Sequence, residues 1–271
     1  HIDDCMRITE EGLQILGLPL PVSERQLVTD VLRNVVTQGA YRIRARFAGP
    51  SGEHFPSLTW LEPSIPPDLQ REATGLLAAH AEVALYLFSD RRLFFCSLAL
   101  ANIAERVGDA LQRISSYSAL AYTANAMSLR ALSDLYLQQA DELRRKHPGT
   151  VAEFKFLRVR GSVYISQARF PDAERDLHQA EAIARDIGDA YARLVAMQQT
   201  LWIWVFRAQL DRATDLLDRF AQLAEQESHS QFSARARIYR AQRLLDTGQH
   251  VAAQVSLREA LSQTRETRDL T

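Results

Sequence analysis

A pattern of small and bulky apolar residues returns along this chain at a fixed step of 40 residues. A period of that size forces a stack of like units rather than one closed core. The clearest copy spans residues 154–180, FKFLRVRGSVYISQARFPDAERDLHQA. With Phe154 as position 1, Leu157 holds position 4, Gly161 position 8, Tyr164 position 11, Ala173 position 20, Leu177 position 24 and Ala180 position 27. One step on stand Met197, Leu201, Trp204, Ala213, Leu217 and Phe220, and the next step gives Ala241, Leu244, Ala253, Leu257 and Ala260. One step back are Tyr117, Ala121, Ala124, Ser133, Leu137 and Ala140. A weaker copy before them holds Leu77, Ala81, Ala84, Leu93 and Leu100, with Ser97 at position 24.

Small residues at positions 8 and 20 allow two helices to cross closely, and the large residues at 4, 11 and 24 fill the groove around the crossing. Gly108 and Gly188 suit a left-handed residue after a helix, and Asp109 and Asp189 can cap the helix that follows. Pro171 falls where a second helix begins and its missing N–H costs nothing. This layout resembles the tetratricopeptide repeat. The resemblance implies an all-α fold, a right-handed superhelix (an α-α solenoid) of about five helical hairpins with a concave inner wall. A standard unit is about 34 residues, so the extra residues predict longer helices or turns.

The first part of the chain is less regular. Residues 3–16 read as an amphipathic helix stopped by Gly17, and Ser23 with Gln26 resembles a capping box that opens a helix to about Phe47. Residues 49–67 form a connector with five prolines and Trp60. The expected organisation is an irregular N-terminal helical pair with its connector over residues 1–66, and the repeat array over 67–271.

Composition narrows the function. A 46% hydrophobic and 24% charged chain with a net charge of −1 folds, and exerts no global pull on nucleic acid or an anionic membrane. No apolar run approaches the roughly 20 residues that span a bilayer. Cys5 and Cys96 lie far apart and read as reduced thiols of a cytoplasmic protein. Of 32 basic residues only Lys146 and Lys155 are lysine, a bias of GC-rich bacterial genomes. The start at His1 rather than Met is expected of a piece of a longer protein.

The sequence holds no P-loop, no GxGxxG, no HExxH and no GxSxG, and its seven histidines are scattered. No catalytic residue, metal ligand or cofactor site is therefore expected. Arg42, Arg44 and Arg46, beside Tyr41 and Phe47, read as a solvated helix end rather than a nucleic-acid patch. Arg237, Arg240 and Arg243 form a stripe with Asp246 and Glu259 in reach, which reads as surface ion pairing.

In the tetratricopeptide layout, positions 2, 5, 9, 12 and 13 of each first helix line the inner wall. That register selects Lys155, Arg158 and Ser162, then Gln198, Trp202 and Phe206, with Ser118, Tyr122 and Asn125 before them and Glu82 and Tyr86 before those. Trp204, at position 11, belongs to the core, whereas Trp202 faces the wall. The cation pair Lys155 and Arg158, beside Tyr122, Asn125, Gln198 and Trp202, suits an acidic or carboxylate-ended peptide or a small polar ligand.

The helix ending LGLPLP, the Pro-rich connector and the helices reading HAEVALYLFSD and LALANIAERVGD resemble the region after the ATPase module of bacterial STAND-type signalling proteins. Those proteins are often fused to adenylate or guanylate cyclase or to kinase domains. The resemblance implies a non-catalytic interaction or sensing arm that regulates an attached ATPase, with a protein or peptide partner and a homodimer as one assembly. Two alternatives fit the same repeats: the inducer-binding sensor of a LuxR-type activator, and a peptide-binding or oligomerisation scaffold. For any of these, far-ultraviolet circular dichroism is expected to show helix alone; a substantial β signal would contradict the fold.

Overall fold

The computed structural model describes residues 2–47, 66, 69–86, 90–107 and 110–269. They form twelve α-helices: α1 (Ile2–Ile15), α2 (Glu24–Phe47), α3 (Gln70–Tyr86), α4 (Asp90–Val107), α5 (Ala110–Ala126), α6 (Arg130–Arg144), α7 (Val151–Ser166), α8 (Phe170–Asp186), α9 (Ala190–Phe206), α10 (Leu210–Gln226), α11 (Ser230–Asp246) and α12 (His250–Asp269). From α3 onward the helices follow one another at half the 40-residue step; α3 to α6 pack in sequence order within one group and α7 to α12 within another, as helical repeats do.

The reversals between helices explain the regularity. Ser128, Ala168, Gly188, Ala208, Ser228 and Gly248 all have positive φ, between 52° and 75°. The next residue donates its N–H five residues back: Leu129 to Ala124 at 2.8 Å, Arg169 to Tyr164 at 2.8 Å, Gln209 to Trp204 at 2.8 Å and Gln249 to Leu244 at 2.8 Å. Asp189 to Ala184 and His229 to Ala224, both 2.9 Å, follow the same rule. This double-bonded helix end satisfies the last carbonyls, and the next helix starts two residues after the left-handed one. The surplus over a standard repeat therefore lies in the helices, 17 residues in most, and not in the turns. The expected cap at Asp189 is present, its carboxylate accepting from the Ala192 N–H at 2.8 Å, and Pro171 lies in the first turn of α8. The matching turn at Gly108 and Asp109, the connector and Trp60 lie outside the described residues.

Two compact units are present, His1–Pro148 and Gly149–Thr271. In the first, Gly17 closes α1 at φ +77°, with the Leu18 N–H on the Leu13 carbonyl at 2.8 Å. Ser23 accepts from the Gln26 N–H at 3.2 Å at the start of α2. The two N-terminal helices do not pack chiefly on one another. α1 lies on α3 and α2 on α4, around a core that includes Leu13, Leu27, Leu77, Leu93 and Phe95.

Arg42 corrects an expectation. It is no solvated helix end: its guanidinium reaches Glu105 Oε1 at 2.5 Å and lies over the rings of Tyr117 and Tyr136, 4.7 and 5.5 Å from their centroids. Tyr117 also donates to Glu105. Gln38 donates to Asn102 at 2.8 Å, and Asn102 donates to Asn34 Oδ1 at 2.7 Å. Glu105 lies 63 residues further along the chain, so local spacing gave no sign of the pair. The side chains of Arg44, Arg46 and Phe47 lie outside the described part.

In the second unit α7 and α8 cross at Gly161, where an added Cβ would come within 2.9 Å of Leu177 Cγ. The position-8 residue of the next hairpin is Leu201, fully buried, and α9 and α10 approach each other less closely. Arg160 clamps Asp176 with two bonds of 2.5 and 2.9 Å and stacks on Phe156. Of the arginine stripe on α11, Arg237 pairs with Glu259 at 3.8 Å as expected, Arg240 pairs instead with Asp218 of α10 at 3.2 Å, and Asp246 accepts from Gln242 at 3.2 Å. No described helix is long and apolar enough to cross a membrane.

Two outcomes are expected. Alanine in the left-handed region costs on the order of 1 kcal/mol, so Ala168→Gly and Ala208→Gly should each raise stability by about 0.5–1 kcal/mol in urea unfolding. His80, buried between α1 and α4 with its Nδ1 3.0 Å from the Thr9 hydroxyl, is held below its ordinary value of 6.5 by burial, with Glu10 raising it and Arg92 lowering it. The unfolded chain thus takes up the proton first as pH falls. Stability should be full above pH 6.5 and decline below it as the native imidazole is forced to charge. His80→Asn should flatten that part of the urea-midpoint profile.

Candidate binding face

In the second unit the selected residues lie on the first helices α7 and α9. Lys155 is exposed on α7, and Arg158 and Ser162 are half-buried one and two turns on. Neither cation has an ion pair among the described residues. On α9 Gln198 is buried, Trp202 is 38% exposed and Phe206 is 68% exposed. Trp204, two residues from Trp202, is buried at 7% exposure, and its indole N–H donates to Glu174 of α8. The split between a core tryptophan and an exposed one follows the repeat register.

Hydrogen bonds tie these helices together. The Gln199 amide donates to Ser162 Oγ at 2.9 Å, and Ser162 donates in turn to the Arg158 carbonyl at 3.2 Å. The Gln199 Oε1 is buried without a partner among the described residues. Arg235 of α11 donates from Nη1 to Gln198 Oε1 at 2.5 Å and lies 5.6 Å from the Phe232 ring centroid. Burial pushes the Tyr239 phenol up to about 12, against the opposing pull of Trp202, Arg235 and Gln198. The Tyr239 phenol is therefore neutral at any physiological pH.

The structure thus joins Gln198 and Trp202 to two residues that the sequence reading did not name, Arg235 and Tyr239. Arg235 holds position 2 of the last hairpin, as Lys155 does in α7, so the register contains it. Tyr239 carries no such signal. Tyr122 and Asn125 belong to the other unit, on α5, where Tyr122 packs half-buried against the core shared by α1, α3 and α4. The side chains of Glu82 and Tyr86 lie outside the described part.

This face is cationic and aromatic at once. It offers Lys155, Arg158 and the outer edge of Arg235 to an anion, with Trp202 and Phe206 as flat surfaces beside them. Among the described residues no group of three or more His, Cys, Asp or Glu side chains is placed to hold a metal. Both cysteines are free; Cys5 is exposed, and Cys96 is buried with its thiol pushed up to about 12 by desolvation. No protein-family model matches the chain, and no curated protein matches it.

Proposed function

We propose that this chain is a tetratricopeptide-like binding module, non-catalytic, that captures an acidic or carboxylate-ended peptide on the α7, α9 and α11 face. The observation that carries this reading is Arg235, bonded to Gln198 in the cluster with Trp202 and Tyr239, on the register that also holds Lys155 and Arg158. The Arg235 guanidinium is already oriented by that bond, which lowers the ordering cost of binding. A right-handed superhelix with this face on its concave side is the geometry the repeat register supports.

The module then serves as the sensing or interaction arm of a larger cytoplasmic bacterial signalling protein. An attached ATPase, cyclase or kinase responds when ligand on the face changes how neighbouring hairpins pack. The inducer-binding sensor of a LuxR-type activator is the rival reading.

The test is titration of the full chain, by calorimetry, with acidic ten-residue peptides carrying a free or an amidated C-terminus. Charge-assisted hydrogen bonds are worth about 1.5–3 kcal/mol. The variant Lys155→Ala/Arg158→Ala should therefore weaken binding about ten-fold or more. Arg235→Ala should do the same. Unchanged affinity in both variants would falsify the assignment of this face.

A further inference from the structure

Three side-chain bonds between the first helices of the second unit keep one offset. Gln199 of α9 reaches Ser162 of α7, and Arg235 of α11 reaches Gln198 of α9, each across 37 residues of sequence. Trp202 and Tyr239, hydrogen-bonded to one another, are separated by the same 37 residues. From Gln198 to Trp202 and from Arg235 to Tyr239 the chain advances equally. Helices α9 and α11 therefore run in the same direction and in step. Helix α9 is flanked by α8 and α10 as well as by α7 and α11, so its exposed side is not an end of the stack.

That step fixes distances along α9. The Arg235 guanidinium sits at the level of Gln198, Trp202 stands one turn beyond it, and Phe206 one turn beyond that. At about 1.5 Å per residue each turn of four residues advances about 6 Å. Both aromatic residues are open to solvent, Phe206 more than Trp202. In the other direction Arg158 lies one turn before Ser162 on α7. Neither Arg158 nor Arg235 has an ion pair among the described residues. An extended peptide advances about 3.3 Å per residue and turns alternate side chains to one face. Two residues of extended chain thus match one turn of α9.

We propose that the α7, α9 and α11 face holds its peptide extended along α9 and selects three alternate side chains. An acid meets Arg235, an apolar residue two positions away meets Trp202, and a second apolar residue four positions away meets Phe206. This register rests on the reading of the face as an acidic-peptide site, and adds what the other residues of the peptide must be. Charge fixes which end is acidic, because Arg158, one turn back, takes a second acid on the far side of the first. A helical ligand would bring its side chains to the same three places from positions four and eight residues away. Free helices of fewer than about 12 residues are marginal in water, and the extended form orders fewer residues for the same contacts.

The test is fluorescence polarisation of labelled, amidated twelve-residue peptides against the full chain. All have a serine and glycine background and carry Glu and Asp two positions apart. They differ in having no leucine, or leucines two and four, one and three, or four and eight positions from the Asp, each in both chain orders. Partial burial of two leucines is worth about ten-fold in affinity. The two-and-four peptide should therefore bind about ten-fold more tightly than the leucine-free peptide, and the one-and-three peptide should show no such gain. Phe206→Ser, at an exposed side chain, should cut the gain to about three-fold. Arg235→Ala should weaken both peptides alike and keep their ratio. The extended register is overturned by equal affinity of the two-and-four and leucine-free peptides, by a preference for the one-and-three or four-and-eight peptide, or by a gain unmoved in Phe206→Ser. Those results leave the acidic-peptide reading of the face intact. Failure of every peptide to bind overturns that reading, and the register with it.

Discussion

Helices α5 and α7 to α11 end in the same reversal, one left-handed residue followed by an N–H that reaches back five residues, and the hairpin packing depends on that turn. It leaves no slack between each of those helices and the next, so helix length is set by the spacing of the turns and the hairpins they join keep one register. Of the six left-handed residues in these reversals, four are Ser or Ala and bear a steric cost that Gly188 and Gly248 avoid. Such strain persists because the helices on either side are over-determined by burial. Ala124, Ala184 and Ala224, whose carbonyls accept the long bond, are buried with almost no exposure.

Within that frame the hairpins are tuned by size and by charge. Gly161 lets α7 and α8 meet, and Leu201 holds α9 and α10 further apart. Each unit also buries one arginine on a carboxylate and against aromatic rings, Arg42 with Glu105 and Arg160 with Asp176. A lysine could supply the charge there but neither the planar fork nor the stacking surface. The arginine-rich composition, which reads as genomic bias, is thus used structurally. Breaking such a pair by removing one partner costs about 3–5 kcal/mol.

Several elements were legible in the sequence because their causes are local. Gly17, Ser23 with Gln26, Asp189 and Pro171 each mark a helix end through their own side chain or its absence, and each lies where expected. The turns at Ser128, Ala168, Ala208 and Ser228 carry no glycine, so only the step of the apolar pattern locates them. The separation of Trp204 from Trp202 follows from the register alone. Arg42 could not be read this way, because its partner lies in another helix. The register selected Gln198, but its burial, its bond to Arg235, 37 residues away, and the approach of Tyr239 required the fold.

One register divides α9 into a side that packs the array, with Trp204, and an exposed side, with Trp202, which the proposed reading gives to a ligand. The three tryptophans, at 60, 202 and 204, allow a direct test through their indole ¹⁵N–¹H signals during titration with an acidic peptide. The Trp202 signal should move with saturation while that of Trp204, donated to Glu174 in the core, stays in place. A Trp204 signal that moves while Trp202 remains still would contradict the division.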